Sequence, residues 1–363
     1  MPEQIAIAMS GGVDSSAAAC LLLDQGFDLI GITMKLFQQG ECGINGESSC
    51  CALDDVEDAR SVARLLGFPH YVFNLSSAFR TQVMDRFVAA YESGATPNPC
   101  IDCNRYLKFG TLLQRARELN RTKVATGHYA RLDFDQGSGR WLLKKALHPE
   151  KDQSYVLATL TQAQLSHALF PLGGLAKDEI RAIAQSRGLV NAHKGDSQDI
   201  CFIPDGDYGA FIRRHTGQSY PTGPFITPEG TPLGQHTGII DYTVGQRRGL
   251  GISSNRGRLY VKEIRPGENT VVLSDNSALF TRTLTATDLN LIPCSQLDGP
   301  TRLRAKIRYR MAEQPCIVEQ TGPDAIRLTF DEPQRAVTPG QTVVLYDGDL
   351  VLGGATIQKE NDQ

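Results

Sequence analysis

The sequence predicts an α/β N-terminal domain built on a parallel sheet, then a small central domain, then a C-terminal antiparallel β-barrel. Three observations carry that expectation. Strand-like and helix-like runs alternate up to about residue 204, Gly and Pro become dense beyond it, and short alternating runs separated by turn signals follow Phe280. Alternation at these lengths builds a parallel sheet with helices on both faces. Short strands closely spaced build a small antiparallel barrel. The expected boundaries are 1–204, 205–280 and 281–363, since 363 residues is long for one domain.

The elements follow in order. Ile5-Ala6-Ile7-Ala8-Met9 is a short apolar strand, Ser10-Gly11-Gly12-Val13-Asp14-Ser15-Ser16 a Gly-rich turn, and Ala17-Ala18-Ala19-Cys20-Leu21-Leu22-Leu23 a helix. Residues 28–34 read as a second strand. Leu53, Val56, Ala59, Val62, Ala63 and Leu66 recur at helical spacing, and Gly67 and Pro69 stop that helix. A third strand is expected over 70–75, helices over 79–91 and 105–119, and a short strand over 123–126 ending at Gly127. Ligands of such folds bind beyond the carboxyl ends of the strands, where Ser10, Met34 and Gly127 fall. The polar segment between Leu36 and Cys51 reads as a loop. After Phe280, strands are expected over 302–311, 316–319, 325–330, 342–346 and 350–357.

The Gly-rich turn is the strongest local signal. Backbone N–H groups of a strand–turn–helix unit converge on an anion at the helix N-terminus, where the dipole favours negative charge. Gly11 and Gly12 let phosphate oxygens approach closely. Ser10, Ser15 and Ser16 offer hydroxyl donors, and Asp14 offers a carboxylate to Mg²⁺. The turn lacks the lysine and the longer spacing of GxxxxGK[ST]. An ordinary capped Gly-Gly turn is the plain alternative, but strand and helix fall where phosphate binding requires them.

Composition narrows the class. Hydrophobic residues make up 41% and charged residues 21%, a globular profile with enough apolar mass for a sizeable core. No uninterrupted apolar run reaches membrane-spanning length, and the N-terminus lacks a basic n-region, so a cytoplasmic protein without a membrane partner is expected. Nine cysteines, an odd number, argue against a disulfide framework and for redox chemistry, nucleophilic catalysis or metal. Cys100 and Cys103 form a C-x-x-C in Thr96-Pro97-Asn98-Pro99-Cys100-Ile101-Asp102-Cys103-Asn104, just ahead of the expected helix, whose N-terminus lowers a thiol pKa. Cys201 follows Asp196-Ser197-Gln198-Asp199-Ile200. Cys42, Cys50 and Cys51 keep a zinc site open, and Cys20, Cys294 and Cys316 read as core residues. Gly127-His128-Tyr129-Ala130-Arg131 and Lys151-Asp152-Gln153-Ser154-Tyr155 add polar clusters. Lys151 and Gln153 suit phosphates or base edges, while Asp152 and Ser154 equally suit a helix cap.

Taken together, SGGVDSS, NPCIDCN, GHYAR, KDQSY, the segment holding Cys201, Gly245-Gln246-Arg247-Arg248-Gly249-Leu250 and Thr338-Pro339-Gly340-Gln341 resemble the bacterial tRNA-specific 2-thiouridylases over nearly the whole chain, in order. The first of these resembles the pyrophosphate loop of the N-type ATP pyrophosphatases. The resemblance implies an N-terminal domain of the PP-loop, adenine nucleotide alpha-hydrolase type and a sulfurtransferase acting on the wobble uridine of lysine, glutamate and glutamine tRNAs. It implies ATP at Ala8, Met9, Ser10, Gly11, Gly12, Val13, Asp14, Ser15, Met34 and Gly127. Cys103 matches the nucleophile and Cys201 the persulfide carrier, the two forming a transient disulfide. Asn98, Pro99 and Cys100 would face the target base; Lys151, Asp152, Gln153, Arg308 and Tyr309 would contact tRNA. An upstream protein would donate persulfide sulfur. Some relatives carry aspartate at the position of Cys100, which leaves open an iron–sulfur cluster on Cys100, Cys103 and Cys201.

Electrostatics bear on the RNA. The net charge of −3 does not advertise a nucleic-acid binder, yet every even position of Arg302-Leu303-Arg304-Ala305-Lys306-Ile307-Arg308-Tyr309-Arg310 is basic. On a strand these five cations would share one face, with Leu303, Ala305, Ile307 and Tyr309 opposite. Arg247, Arg248, Arg256, Arg258 and Lys262 form a second basic region. Two other functions share parts of this pattern. A pyrophosphatase that activates a small molecule needs neither Cys103 plus Cys201 nor the basic run, and a non-catalytic RNA-binding protein needs no cysteines.

Overall fold

A computed structural model describes residues 2–37, 53–195, 200–252 and 257–359. Cys42, Cys50, Cys51, Arg256, 196–199 and most of the expected loop after Leu36 lie outside them. The first sheet contains β1 (Gln4–Ala8), β2 (Asp28–Lys35), β3 (His70–Asn74), β4 (Lys123–Ala125) and a short strand at Ala168–Leu169. All are parallel, in the order β3-β2-β1-β4 and then the short strand. Side chains of β1 alternate between two cores. Ile5 and Ile7 pack with Ala17, Val62 and Ile180, whereas Ala6 packs with Ile32, Phe87 and Leu107. Helices therefore cover both faces: α1 (Val13–Asp24), α2 (Leu53–Leu66) and a helix at Lys177–Ser186 on one, the helices over 76–92 and 99–117 on the other.

The central domain begins with the helix Tyr208–Thr216 and contains a four-stranded sheet of Gly223–Ile226, Pro232–His236, Tyr260–Arg265 and Thr270–Ser274. Phe211 of that helix packs on Phe87 of the first domain at 6.0 Å and on Phe202 at 5.0 Å, so the two domains share one core.

Six antiparallel strands form the C-terminal barrel: Phe280–Leu291, Thr301–Lys306, Gln314–Gly322, Ala325–Arg335, Thr342–Asp347 and Leu350–Ile357. The first also pairs with the last, which closes the ring and leaves no free edge. Its core is separate, with Leu284, Leu303, Val318, Phe330 and Leu345 inside. Sequence reading missed the strand at Phe280–Leu291, whose threonines and charges blur the alternation. It also missed the hairpin Ala130–Asp135/Arg140–Lys145, which leaves the first domain and joins the barrel where Lys144 pairs with Leu350.

The basic run departs from expectation. Its strand stops at Lys306, and 307–310 turn away. Leu303, Ala305 and Ile307 are buried as expected, but Tyr309 is exposed. Carboxylates meet the first two cations: Arg302 forms a two-pronged ion pair with Asp331, and Arg304 lies 3.7 Å from Glu313. The run is thus no face of one sign.

Candidate active site

The order of the first sheet reverses between β1 and β4, which opens a crevice beyond their carboxyl ends. The Gly-rich turn leaves β1 there and Gly127 follows β4. A Cβ on Gly127 would lie 2.8 Å from the Ser15 nitrogen, so these segments touch backbone to backbone. Gly11 has φ +73°, and a Cβ there would stand 2.4 Å from the Asp55 carbonyl oxygen. Met34 lies near the end of β2, one strand over and partly buried.

The turn is braced from within. Ser15 and Ser16 donate their hydroxyls to the Gly12 carbonyl at 3.0 and 3.1 Å. Both residues are buried, so these hydroxyls tie the turn together, and Ser10 is left as the exposed serine of the three. Asn191 Nδ2 donates to the Gly11 carbonyl and to Ser16 Oγ, each at 2.9 Å. Asp14 Oδ1 accepts from the Tyr129 hydroxyl and from the Lys177 ammonium, both at 2.7 Å. Among the described residues no three His, Cys, Asp or Glu side chains gather as a metal-binding group.

The cysteine helix starts at Pro99, ahead of the expected residue 105. Asn98 is its N-cap, accepting from the Cys100 N–H at 3.1 Å, and Pro99 takes the first helical position. Asn98-Pro99 is thus a helix start of the Asn-cap, Pro-first kind. Cys100 and Cys103 consequently lie inside the helix, Cys100 exposed and Cys103 half-buried. From Cys103 to Leu112 the helix widens to π pitch, a departure frequent at functional sites. Asn104 Nδ2 donates to the Val156 carbonyl at 3.0 Å, and Arg105 grips Asp288 of the barrel at 2.5 and 3.1 Å. Cys201 is half-buried, held by Phe202, whose ring meets Phe79 at 5.5 Å and Phe87 at 5.6 Å. Cys103 and Cys201 pack on the same hydrophobic core, although far apart in sequence.

The barrel closes on this helix. Thr96 N–H donates to the Pro339 carbonyl at 2.8 Å, and Gln341 Nε2 donates to the Thr96 carbonyl at 2.7 Å. The Tyr309 ring packs at a tilt on Tyr155, centroids 5.7 Å apart, its hydroxyl 3.5 Å from the Asp152 carbonyl; partial desolvation there, then the charges of Asp152 and Cys100, raise its pKa. Arg308 donates to the Ala336 carbonyl and to Thr338 Oγ1. Asn98–Cys100, Asp152 and Tyr309 therefore come together. Asp152 turns inward, accepting from Ala146 N–H at 3.0 Å and Ser154 Oγ at 2.9 Å, and Gln153 Oε1 accepts from Tyr129 N–H at 3.0 Å. Both side chains are thus engaged inside the protein, and the short helix Ser154–Leu157 receives no side-chain cap from its N-cap residue Gln153.

The family described as tRNA methyl transferase HUP domain matches residues 3–205; the corresponding PRC-barrel domain matches 209–275, and an aminomethyltransferase beta-barrel domain matches 281–357. The tRNA-specific 2-thiouridylase MnmA of Clostridioides difficile is 47% identical over 99% of this chain and 99% of its own. The enzyme of the same name from Symbiobacterium thermophilum is 48% identical over 98% of this chain and 92% of its own. This chain belongs to the tRNA-specific 2-thiouridylase family.

Lys177, Asn191 and Tyr129 of this family member escaped sequence reading. Each lies remote in sequence from the turn it braces, and only Tyr129 stands in a quoted motif. Cys20 and Cys316 are buried, and burial pushes their thiols up to about 11 and about 12. They are core residues, as expected, whereas Cys294, expected in the core as well, is partly exposed. Burial, and secondarily Lys108, holds the His128 pKa well below its ordinary 6.5. Its Nδ1 lies 2.7 Å from Thr126 Oγ1. Below pH 6.5 the unfolded chain takes up a proton there that the folded one does not, so stability falls with pH by up to about 1.4 kcal/mol per unit from this group. Denaturant melts of His128→Asn from pH 7.5 downward should show a shallower acid decline; an unchanged decline would refute the assignment.

Proposed function

We propose that the chain uses ATP to replace the C2 oxygen of the wobble uridine of lysine, glutamate and glutamine tRNAs with sulfur. What supports this reading is the shared domain: a phosphate-type loop leaves the end of β1, Cys103 and Cys201 pack on one core of the same domain, and Tyr309 of the barrel reaches Asp152. The C2 oxygen is a poor leaving group, so it first attacks the α-phosphorus of ATP, releasing pyrophosphate. Ser10–Ser15, Met34 and Gly127 hold the nucleotide. Asp14, which has a second carboxylate oxygen beyond the one engaged by Lys177 and Tyr129, offers a ligand to Mg²⁺, whose charge would offset that of the phosphates.

Cys201, loaded with persulfide by a donor protein, attacks C2; the C–S bond forms and the C–O bond breaks, expelling AMP. Cys103 thiolate then attacks the Cys201 sulfur. The S–S bond breaks toward the base, leaving the thiocarbonyl and a Cys103–Cys201 disulfide, which a reductant reopens. The two thiols supply both electrons. Extruding the uridine from its stack accompanies binding. The working division is 1–204 for catalysis, 205–280 for the centre and 281–363 for RNA. Among the described residues no helix is long and apolar enough to cross a membrane, and a cytoplasmic setting suits tRNA and a reductant.

Mass analysis of tRNA after incubation with protein, ATP, Mg²⁺ and a persulfide donor tests this. A gain of sulfur for oxygen supports it. A methylene gain would point to methyl transfer, which the HUP family's description names but which would use neither the pyrophosphate loop nor two thiols.

RNA contacts should be unequal along the basic run. Arg308→Ala should weaken tRNA binding and flatten its log–log salt dependence by about 0.7–0.9 per lost phosphate contact. Arg302→Ala, already compensated by Asp331, should flatten it less. Filter binding across a salt series that gives equal slopes for both variants would refute this ranking. Arg247 and Arg258 share an open cleft of about 520 Å³ in the central domain, a second place for phosphates.

A further inference from the structure

The phosphate loop has no lysine of its own, unlike GxxxxGK[ST] loops, where an ammonium reaches the phosphates. The fold supplies one from elsewhere. Lys177 opens the helix Lys177–Ser186, which packs in the same core as α1. Its ammonium stands 2.7 Å from Oδ1 of Asp14, in the first turn of α1, and its side chain is only 9% exposed. The Tyr129 hydroxyl shares that oxygen at 2.7 Å, and Asn191, beyond the same helix, fastens Gly11 and Ser16 at 2.9 Å. Burying an ammonium is costly unless it is compensated, and here a compensating carboxylate belongs to the candidate anion-binding turn itself. A pyrophosphate entering that turn offers the same compensation at greater charge.

We propose that Lys177 is the phosphate-binding ammonium of this site and a catalytic residue that stabilises the departing pyrophosphate. The proposal rests on the ATP-dependent reading above. As the uridine oxygen bonds to the α-phosphorus, the α–β bridging P–O bond breaks and its electron pair stays on pyrophosphate. The uridine N3 proton is shed to solvent. The new negative charge develops on oxygens beside the N-terminus of α1, where Lys177 shifts its hydrogen bond from Asp14 to phosphate. No proton transfer from Lys177 is needed.

The test separates charge from packing. Lys177→Gln keeps a hydrogen-bond donor toward Asp14 but loses the charge, and Lys177→Arg keeps the charge. Calorimetric binding of inorganic pyrophosphate with Mg²⁺ should weaken at least about tenfold in Lys177→Gln, and single-turnover pyrophosphate release with tRNA should fall about 10²–10³-fold. Lys177→Arg should recover most of both, and tRNA affinity should stay unchanged in each. Parental pyrophosphate affinity in a folded Lys177→Gln would overturn the proposal, as would a Lys177→Arg no better than Lys177→Gln. Should Lys177→Gln fail to fold, pyrophosphate protection of parental Lys177 from amine acylation decides the matter, and no protection overturns it. If the parental protein itself releases no pyrophosphate with ATP and tRNA, the ATP-dependent reading falls instead.

Discussion

Cys201→Ser should yield no 2-thiouridine when a persulfide donor is the sulfur source, because a hydroxyl cannot carry transferable sulfur. Cys103→Ser should fail in the same assay, since no thiol would remain to release the thiocarbonyl and close the disulfide. Supplying sulfide directly should partly restore both, as activation of the uridine is untouched. Nucleoside analysis of the tRNA reads each outcome. Full activity of Cys201→Ser with the persulfide donor would refute the carrier role. An iron–sulfur cluster on Cys100, Cys103 and Cys201 predicts otherwise: Cys100→Ser would be as damaging as the other two, and anaerobic protein would contain iron and absorb visible light. We expect Cys100→Ser to stay active. Cys100 is exposed while Cys103 and Cys201 are each half-buried against the core, and partial shelter from water suits a persulfide better than full exposure.

The glycines of the phosphate turn should separate just as sharply. Gly11→Ala forces a positive φ on alanine and drives a Cβ to 2.4 Å from the Asp55 carbonyl oxygen. Left-handed strain and overpacking together cost about 2–5 kcal/mol. The displaced turn should lower adenylation at least about 10²-fold. Gly127→Ala meets the Ser15 nitrogen at 2.8 Å and should behave similarly. Gly12→Ala has ordinary extended backbone, φ −85° and ψ 159°, and its Cβ would meet only Ser10 Oγ at 3.5 Å. Its stability should stay within about 0.5 kcal/mol of the parent. Denaturant melts with pyrophosphate-release assays check all three; equal stability of Gly11→Ala and Gly12→Ala would contradict the packing described.

Much of the site was legible because its signals are local. A strand, two glycines and a helix in succession mark a candidate anion site within a few residues, and helical periodicity placed Leu53–Leu66 almost to the residue. The helix was expected from residue 105 and starts at Pro99, because an Asn-Pro pair marks first helical turns as readily as the approach to one. The five-cation face was misread because strand periodicity says where side chains point, not where the strand ends or what stands opposite. Asp331 comes from another strand, 29 residues from Arg302, and Glu313 returns from the connection just before the next strand, 9 residues past Arg304, so neither pairing follows from the alternation itself.

By itself, then, the order of residues determined the fold class, the anion-binding turn and the candidate thiols, since each depends on backbone preferences and side-chain chemistry within a few residues. Tertiary structure decided the rest. It brought Gly127 against Ser15, set Cys103 and Cys201 on one core, carried Tyr309 to Asp152, and laid the Lys177 ammonium on Asp14. Those contacts join segments tens to hundreds of residues apart, and they arise from burying both faces of a sheet and closing a barrel. Packing of that kind is a property of the assembled surfaces, which no local pattern encodes.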